Sequence, residues 1–224
     1  MMAAAKKASK AKRAAAERKD EQELRDRILG AAFAAFMERG YAGTSTLEIA
    51  TRAKVSKREL YALFSNKEAM LAEGIRRRTE EMQVAPDLPE ARDRPMLGEI
   101  LAVFGTRLLQ EVSHPHVTGV FRLAIGEAAR APEIAQILSA AGRDATKKAL
   151  ATFFAKAQSA GLLAKADTMT MAAQFMALLW TDRFVPLLLG VEARPDEAEC
   201  RRRARVAAAQ FLTLNPASKD QARP

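Results

Sequence analysis

The run STLEIATRAKVSKRELYALFSNK, residues 45–67, decides how this chain folds and what it meets. Leu47, Ile49, Ala50 and Ala53 place apolar side chains at helical spacing, and Leu60, Leu63 and Phe64 do so again a few residues on. Lys54-Val55-Ser56 makes a tight break between them. Two short helices joined by such a break, directly after a longer helix, predict a helix-turn-helix. The first short helix packs on the second through Ile49, Ala50 and Ala53, with Val55 plugging the corner. The second hides Leu60, Leu63 and Phe64 and shows Ser56, Lys57, Arg58, Glu59, Tyr61 and Ala62. Ser56 is placed to cap it, and the N–H groups and positive dipole end there favour phosphate. Lys67 falls in the first turn of the next helix, where a cation opposes the dipole and a nearby phosphate would account for it.

Outward from this run the pattern stays helical. Upstream, Leu24, Ile28, Ala31, Ala32, Ala35 and Phe36 keep three-to-four spacing until Gly40 supplies a stop. Downstream, Ser65-Asn66 offers a cap for a helix from Lys67 to about Val84. Pro86, Pro89 and Pro95 bracket a loop. Further helices are expected near 95–112, 115–130, 132–141, 143–160, 168–190 and 196–214, with Pro186 bending the fifth or ending it early. Breaks are expected at Ser113–Pro115, Ala131-Pro132, Gly142, 161–167 and 190–195. Alanine is abundant and alternating β-branched runs are missing, so the fold is expected to be all-α. The expected organisation is a disordered basic tail over 1–19 and a three-helix helix-turn-helix domain over 20–66. A C-terminal helical bundle for dimerisation and ligand binding follows over 67–214, then a flexible end over 215–224.

The 224 residues carry a net charge of +9, and its placement is uneven. Residues 1–19 hold seven basic residues against Glu17, residues 20–78 add +2, and the remaining 146 contribute +1. A basic front on a nearly neutral body points to a polyanion partner. The tail itself reads either as a solvated extension or as an arm on nucleic-acid phosphates. One cysteine, Cys200, leaves no internal disulfide and fits a reducing compartment. The apolar stretches Met171–Trp180 and Phe184–Val191 are split by Thr181-Asp182-Arg183, and each falls short of the ~20 residues of a spanning helix. Gly-rich phosphate loops, nucleophile elbows, HExxH and CxxC motifs are missing, so neither an enzyme nor a cofactor is expected. His114-Pro115-His116 has no cysteine partner and reads as a loop rather than a metal site. Arg201, Arg202, Arg203 and Arg205 read as a solvated face flanked by Glu197 and Glu199, and Glu48 with Arg52 as a surface ion pair.

On these residues the chain resembles the TetR/AcrR family of bacterial transcriptional regulators. The resemblance runs through Arg27 to Ala32, Phe36, Gly40 to Ser45, Leu47 to Ala50, Ala53 to Lys57, Leu60-Tyr61, Phe64 and Ser65 to Glu68. Phe121-Arg122-Leu123, Glu127-Ala128, Pro132-Glu133-Ile134 and Ala160 to Leu163 resemble the C-terminal domain of AefR-like members. The resemblance implies a cytoplasmic homodimer on a pseudo-palindromic double-stranded DNA operator, a repressor released by a small hydrophobic inducer. It implies phosphate contacts from Thr44, Thr46, Lys57, Tyr61 and Lys67, and base-edge positions at Ser56, Arg58, Glu59 and Ala62. The family usually carries glycine where this chain has Lys54, which puts the shape of the turn in question. The alternative class is a helical dimer that binds nucleic acid without sequence preference, or binds protein, and senses no ligand.

For the inducer, Phe104, Phe121, Arg122, Phe154, Phe175, Met176 and Trp180 are pocket candidates, each of which could equally be plain core. Glu127, Gln174 and Asp182 join Arg122 as polar groups that could shape specificity.

Overall fold

Cap chemistry and glycine stops cut the chain into helices where the sequence places them, with three exceptions. The computed structural model describes residues 2–82, 88–129 and 132–218, and every regular element among them is helical. In order they are α1 (Met2–Arg39), α2 (Thr46–Ala53), α3 (Lys57–Leu63), α4 (Lys67–Met82), α5 (Arg94–Val112) and α6 (Pro115–Glu127). Then come α7 (Pro132–Leu138), a π-helical turn (Ser139–Asp144), α8 (Ala145–Ser159), α9 (Thr168–Trp180), α10 (Phe184–Leu189) and α11 (Glu197–Leu214). Ser45, Ser56, Asp93, Asp167 and Asp196 cap α2, α3, α5, α9 and α11 by accepting an N–H of the first turn.

The chain divides into two compact units, the first ending at Ile75 and the second beginning at Arg76. In the first, α1 buries Ile28, Leu29, Ala32, Ala35 and Phe36, and Gly40 at φ 73° turns the chain out of the helix. α2 contributes Ile49, Ala50 and Ala53, and α3 with its C-cap contributes Leu60 and Phe64. Met70, Leu71 and Ile75 of α4 complete this core, so the boundary falls past residue 66, where the sequence put it. The basic stretch also differs from expectation: α1 begins at Met2, and residues 2–19 continue it as helix. Alanine and lysine are strong helix formers, and an established helix extends at low cost.

In the second unit α11 lies along α5 and against α9, and α8 packs on α9. Leu97, Leu101 and Leu109 of α5, Phe154 of α8, Phe175 of α9 and Phe211 of α11 are buried together. Ala204, Ala207 and Ala208 keep the meeting face of α11 low. Gly105 lets α5 approach it: a Cβ there would lie 3.0 Å from Leu179 and 3.2 Å from Ala204. The Arg94 guanidinium fastens the far end, donating to the carbonyls of Leu162 (2.6 Å), Leu212 (2.7 Å) and Asn215 (3.1 Å). Residues 215–218 are tied down too, since Ala164 N–H donates to Pro216 and Ser218 N–H to Gly161. The expected flexible end therefore starts no earlier than residue 219, and residues 219–224 lie outside the described ones, as do Val84, Pro86 and Ala131.

Two expected boundaries are corrected. The chain does not break at Gly142: a π turn carries α7 into α8, and Thr146 donates to the Gly142 carbonyl at 2.9 Å. The expected 168–190 helix is two helices, parted at Thr181 (φ 52°) rather than at Pro186. A proline ring collides with the carbonyl four residues earlier, here Asp182, so the helix gives way upstream of the proline. Pro186 itself sits in the first turn of α10, where no N–H is required of it.

Candidate nucleic-acid interface

The α2–α3 pair is built from the backbone outward. Lys54 closes α2 at φ 55°, ψ 48°, with its N–H on the Thr51 carbonyl (3.2 Å) and the Val55 N–H on Ala50 (3.0 Å). The turn that the family makes with glycine is thus made in the same left-handed geometry by a lysine, at a cost of about 1 kcal/mol. Ser56 and Glu59 then form a full capping box. The Glu59 N–H donates to Ser56 Oγ at 3.1 Å, and the Ser56 N–H and hydroxyl both reach Glu59 Oε2 at 2.7 Å. These bonds hold the Glu59 carboxyl below the usual carboxylate range, and the Arg27 charge adds to them. α2 is fixed to α1 by a charge cluster in which Arg52 pairs with Glu48 (2.8 Å) and Glu38 (2.7 Å), and Glu48 with Arg39 (3.2 Å). The expected Glu48–Arg52 pair is therefore present and belongs to a larger cluster.

Of the residues expected to meet DNA, Lys57, Arg58 and Tyr61 stand exposed on one face of α3, with Ala62 beside them. Among the described residues, no hydrogen bond or ion pair engages the side chains of Lys57 and Arg58. Tyr61 is 50 % exposed, and its hydroxyl lies 3.0 Å from Thr46 Oγ1, which joins the start of α2 to the outer face of α3. Their separation of fifteen positions hides this pair from any periodicity in the sequence. Ser56 is exposed but its hydroxyl is used by Glu59, so as it stands its work is to cap.

Two of the residues expected at phosphates make bonds inside the fold. Thr44 is 2 % exposed, and its hydroxyl lies 2.8 Å from the Gly40 carbonyl and 3.1 Å from that of Ala35. One hydroxyl carries one proton, and these carbonyls at the end of α1 claim it. The Lys67 ammonium donates to the carbonyls of Tyr41 (2.7 Å) and Thr44 (3.0 Å) and sits 4.4 Å from the Tyr41 ring centroid. The cation at the start of α4 thus pins the α1–α2 loop.

The pocket candidates separate into two groups. Phe104, Phe154 and Phe175 are buried, and their rings pack in a chain through Phe211, which the sequence reading passed over. Phe211 falls on the same face of α11 as Ala204, Ala207 and Ala208, and that spacing was the available signal. Phe121 and Trp180 are half-buried and both touch Phe184, at 5.2 and 4.8 Å between centroids; Met176 is half-buried nearby in sequence. Arg122 is exposed, and it donates to the Leu188 (2.7 Å) and Leu187 (3.2 Å) carbonyls at the end of α10. A cation there suits both the open carbonyls and the dipole. Of the other polar groups, Gln174 accepts from Asn215, Glu127 is buried and Asp182 is exposed. His114 caps α6, its Nδ1 accepting the His116 N–H at 3.3 Å. Burial pushes the Cys200 thiol up, away from reactivity. No helix among the described residues is long and apolar enough to cross a membrane.

A capped recognition helix with a free cationic face, carried on a three-helix head and followed by a second helical unit, defines a helix-turn-helix transcriptional regulator. Residues 28–73 match the family of bacterial regulatory proteins of the tetR type, and residues 99–214 match the C-terminal domain of AefR-like transcriptional repressors. The chain belongs to the TetR family, whose members bind DNA operators and usually act as dimers. Among solved structures it is similar to the flavonoid-responsive regulator FrrA, at 29% identity and a TM-score of 0.75 over 87% of this chain and 97% of that one. It is also similar to a TetR transcriptional regulator from Agrobacterium tumefaciens, at 26% identity and a TM-score of 0.73 over 89% and 98%. A TetR family regulator from Pseudomonas syringae pv. tomato matches at 29% identity and a TM-score of 0.65 over 85% and 96%. No curated protein matches the chain.

Proposed function

We propose that the protein is a homodimeric repressor that reads a pseudo-palindromic operator with α3 and leaves it when a small hydrophobic molecule binds the second unit. It works in the cytoplasm, by binding alone. The observation that carries this reading is the outer face of α3, where Lys57 and Arg58 stand exposed with no hydrogen-bond or ion-pair partner among the described residues, one turn from the buried Leu60 that anchors the helix. In this reading Lys57, Tyr61 and Thr46 meet phosphates, and Arg58 with Ala62 faces base edges. Arginine suits guanine, whose O6 and N7 accept its paired N–H groups. Two such helices must lie ~34–36 Å apart to enter successive major grooves.

A ligand releases DNA only by favouring a state in which that spacing is lost. Phe121, Met176 and Trp180 are the candidates for meeting it, since half-buried aromatic and thioether groups can gain burial when a ligand arrives. The likeness to FrrA makes flavonoids the first compounds to test, with Trp180, the chain's single tryptophan, as the fluorescent reporter.

Lys57→Ala tests the assignment of α3. It should weaken binding about equally on every sequence and lower the slope of log affinity against log salt by ~1, measured by fluorescence anisotropy. Unchanged affinity and slope would remove α3 from the interface.

A further inference from the structure

We propose that Lys54 grips the DNA backbone strand on the far side of the groove from Thr46 and Tyr61, with Arg27 of α1 beside it. The inference rests on α3 being the recognition helix and adds a second backbone anchor to it.

Lys54 occupies a left-handed turn, and among the described residues of the head it is the one non-glycine residue at positive φ, where glycine would be less strained. The turn uses only the backbone of this residue: its N–H and that of Val55 make the closing bonds. The Lys54 side chain is exposed, and no hydrogen bond or ion pair among the described residues engages it. Nothing inside the head therefore draws on the lysine, and strain kept at one exposed cation points to a use outside the fold.

The surroundings fit. Lys54 lines a concavity of about 540 Å³ with Arg27, Arg52 and Asp26, over a floor that includes Gly30 and Ala31. Arg52 is held by Glu38 and Glu48, and Asp26 accepts from Gln22 at 3.0 Å. Arg27 and Lys54 make no hydrogen bond or ion pair among the described residues, and they stand over small residues that admit a bulky anion. Lys54 stands two residues before the Ser56 cap, which sets this concavity beside the first turn of α3.

The spacing fits as well. α2 has eight residues, ~12 Å at 1.5 Å per residue, and a B-form major groove is ~12 Å wide. Thr46, held to Tyr61, opens α2, and Lys54 follows its last residue. The two ends of α2 are as far apart as the two phosphate strands that bound the groove α3 enters. Phosphate is the chemistry that two unpaired cations over a shallow floor would take, and the duplex supplies it on both sides.

The test uses the full chain, a labelled duplex recovered by selection from random DNA, and a scrambled duplex of equal length. Lys54→Gln removes the charge and keeps the backbone strain, whereas Lys54→Gly removes both. Each should weaken binding about fivefold on both duplexes and lower the salt slope by ~1, while Lys54→Gly also raises the thermal midpoint. Adding Arg27→Gln should lower the slope by ~2 in total. Wild-type affinity and slope in both Lys54 variants, with Lys57→Ala still weakened, would overturn the second anchor and leave α3 in place. A loss confined to the selected duplex would also overturn it, because phosphates carry no sequence. If Lys57→Ala also binds unchanged, the reading of α3 fails and takes this inference with it.

Discussion

Ser56 and Glu59 show how one residue pair fixes a recognition surface: three short bonds seal the start of α3 before any DNA arrives. The Glu59 carboxyl is held below the usual carboxylate range, chiefly by Ser56. A depressed folded value means the group stabilises the fold above its unfolded value, ~4.3, and this contribution is lost as pH falls through the folded value. Urea unfolding of wild type and Glu59→Gln at pH 7 and pH 3 checks it. The variant should have the lower midpoint at pH 7, and the gap should narrow at pH 3. Lys67 makes a different case, a cation whose bonds lie inside the fold. A lysine and a threonine near a helix-turn-helix look like phosphate contacts, yet Lys67 and Thr44 turn inward. The turn after α1 frees carbonyls at Gly40, Tyr41 and Thr44 that need donors. That demand spans more than twenty residues from Lys67, so no local pattern reveals it. Lys67→Met should lower the thermal midpoint and leave the DNA salt slope unchanged; a slope reduced by ~1 at wild-type stability would return Lys67 to the phosphates.

At the scale of elements, most boundaries were legible because caps and stops are local chemistry. Ser45, Ser56, Asn66 and Asp196 accept first-turn N–H groups, and Gly40 ends α1 at positive φ. The misses arose where an effect acts at a distance along the helix. Pro186 marks the 168–190 segment, but its clash falls on the carbonyl of Asp182, and the chain yields at Thr181. A β-branched residue at φ 52° is strained, and Thr181→Gly should relieve it, raising stability by about 1 kcal/mol in urea titration. A drop in stability would mean that the Thr181 hydroxyl, 2.6 Å from the Trp180 carbonyl, contributes more than the strain costs. The π turn at 139–144 had no signal of its own, since Gly142 reads as a break whether or not the helix continues.

Over the whole molecule, charge and reading are separate properties. The first 78 residues carry +8 of the +9, enough to attract DNA, while in the proposed reading Arg58 and Ala62, facing base edges on a capped helix, distinguish one sequence from another. The head was legible from residues 45–67 because its motif is short and its spacing rigid. The second unit was legible only as a helical bundle, because aromatic residues in a core and around a ligand share the same spacing, and packing alone separates Phe154 from Phe121. The central claim is that α3 reads a palindrome as one of a pair. Selection of bound duplexes from random DNA by the full-length protein at physiological salt tests it most directly. The account predicts enrichment of an inverted repeat whose half-sites are centred one helical turn, ~34–36 Å, apart or a whole multiple of it. Recovery of duplexes with no shared sequence would contradict it.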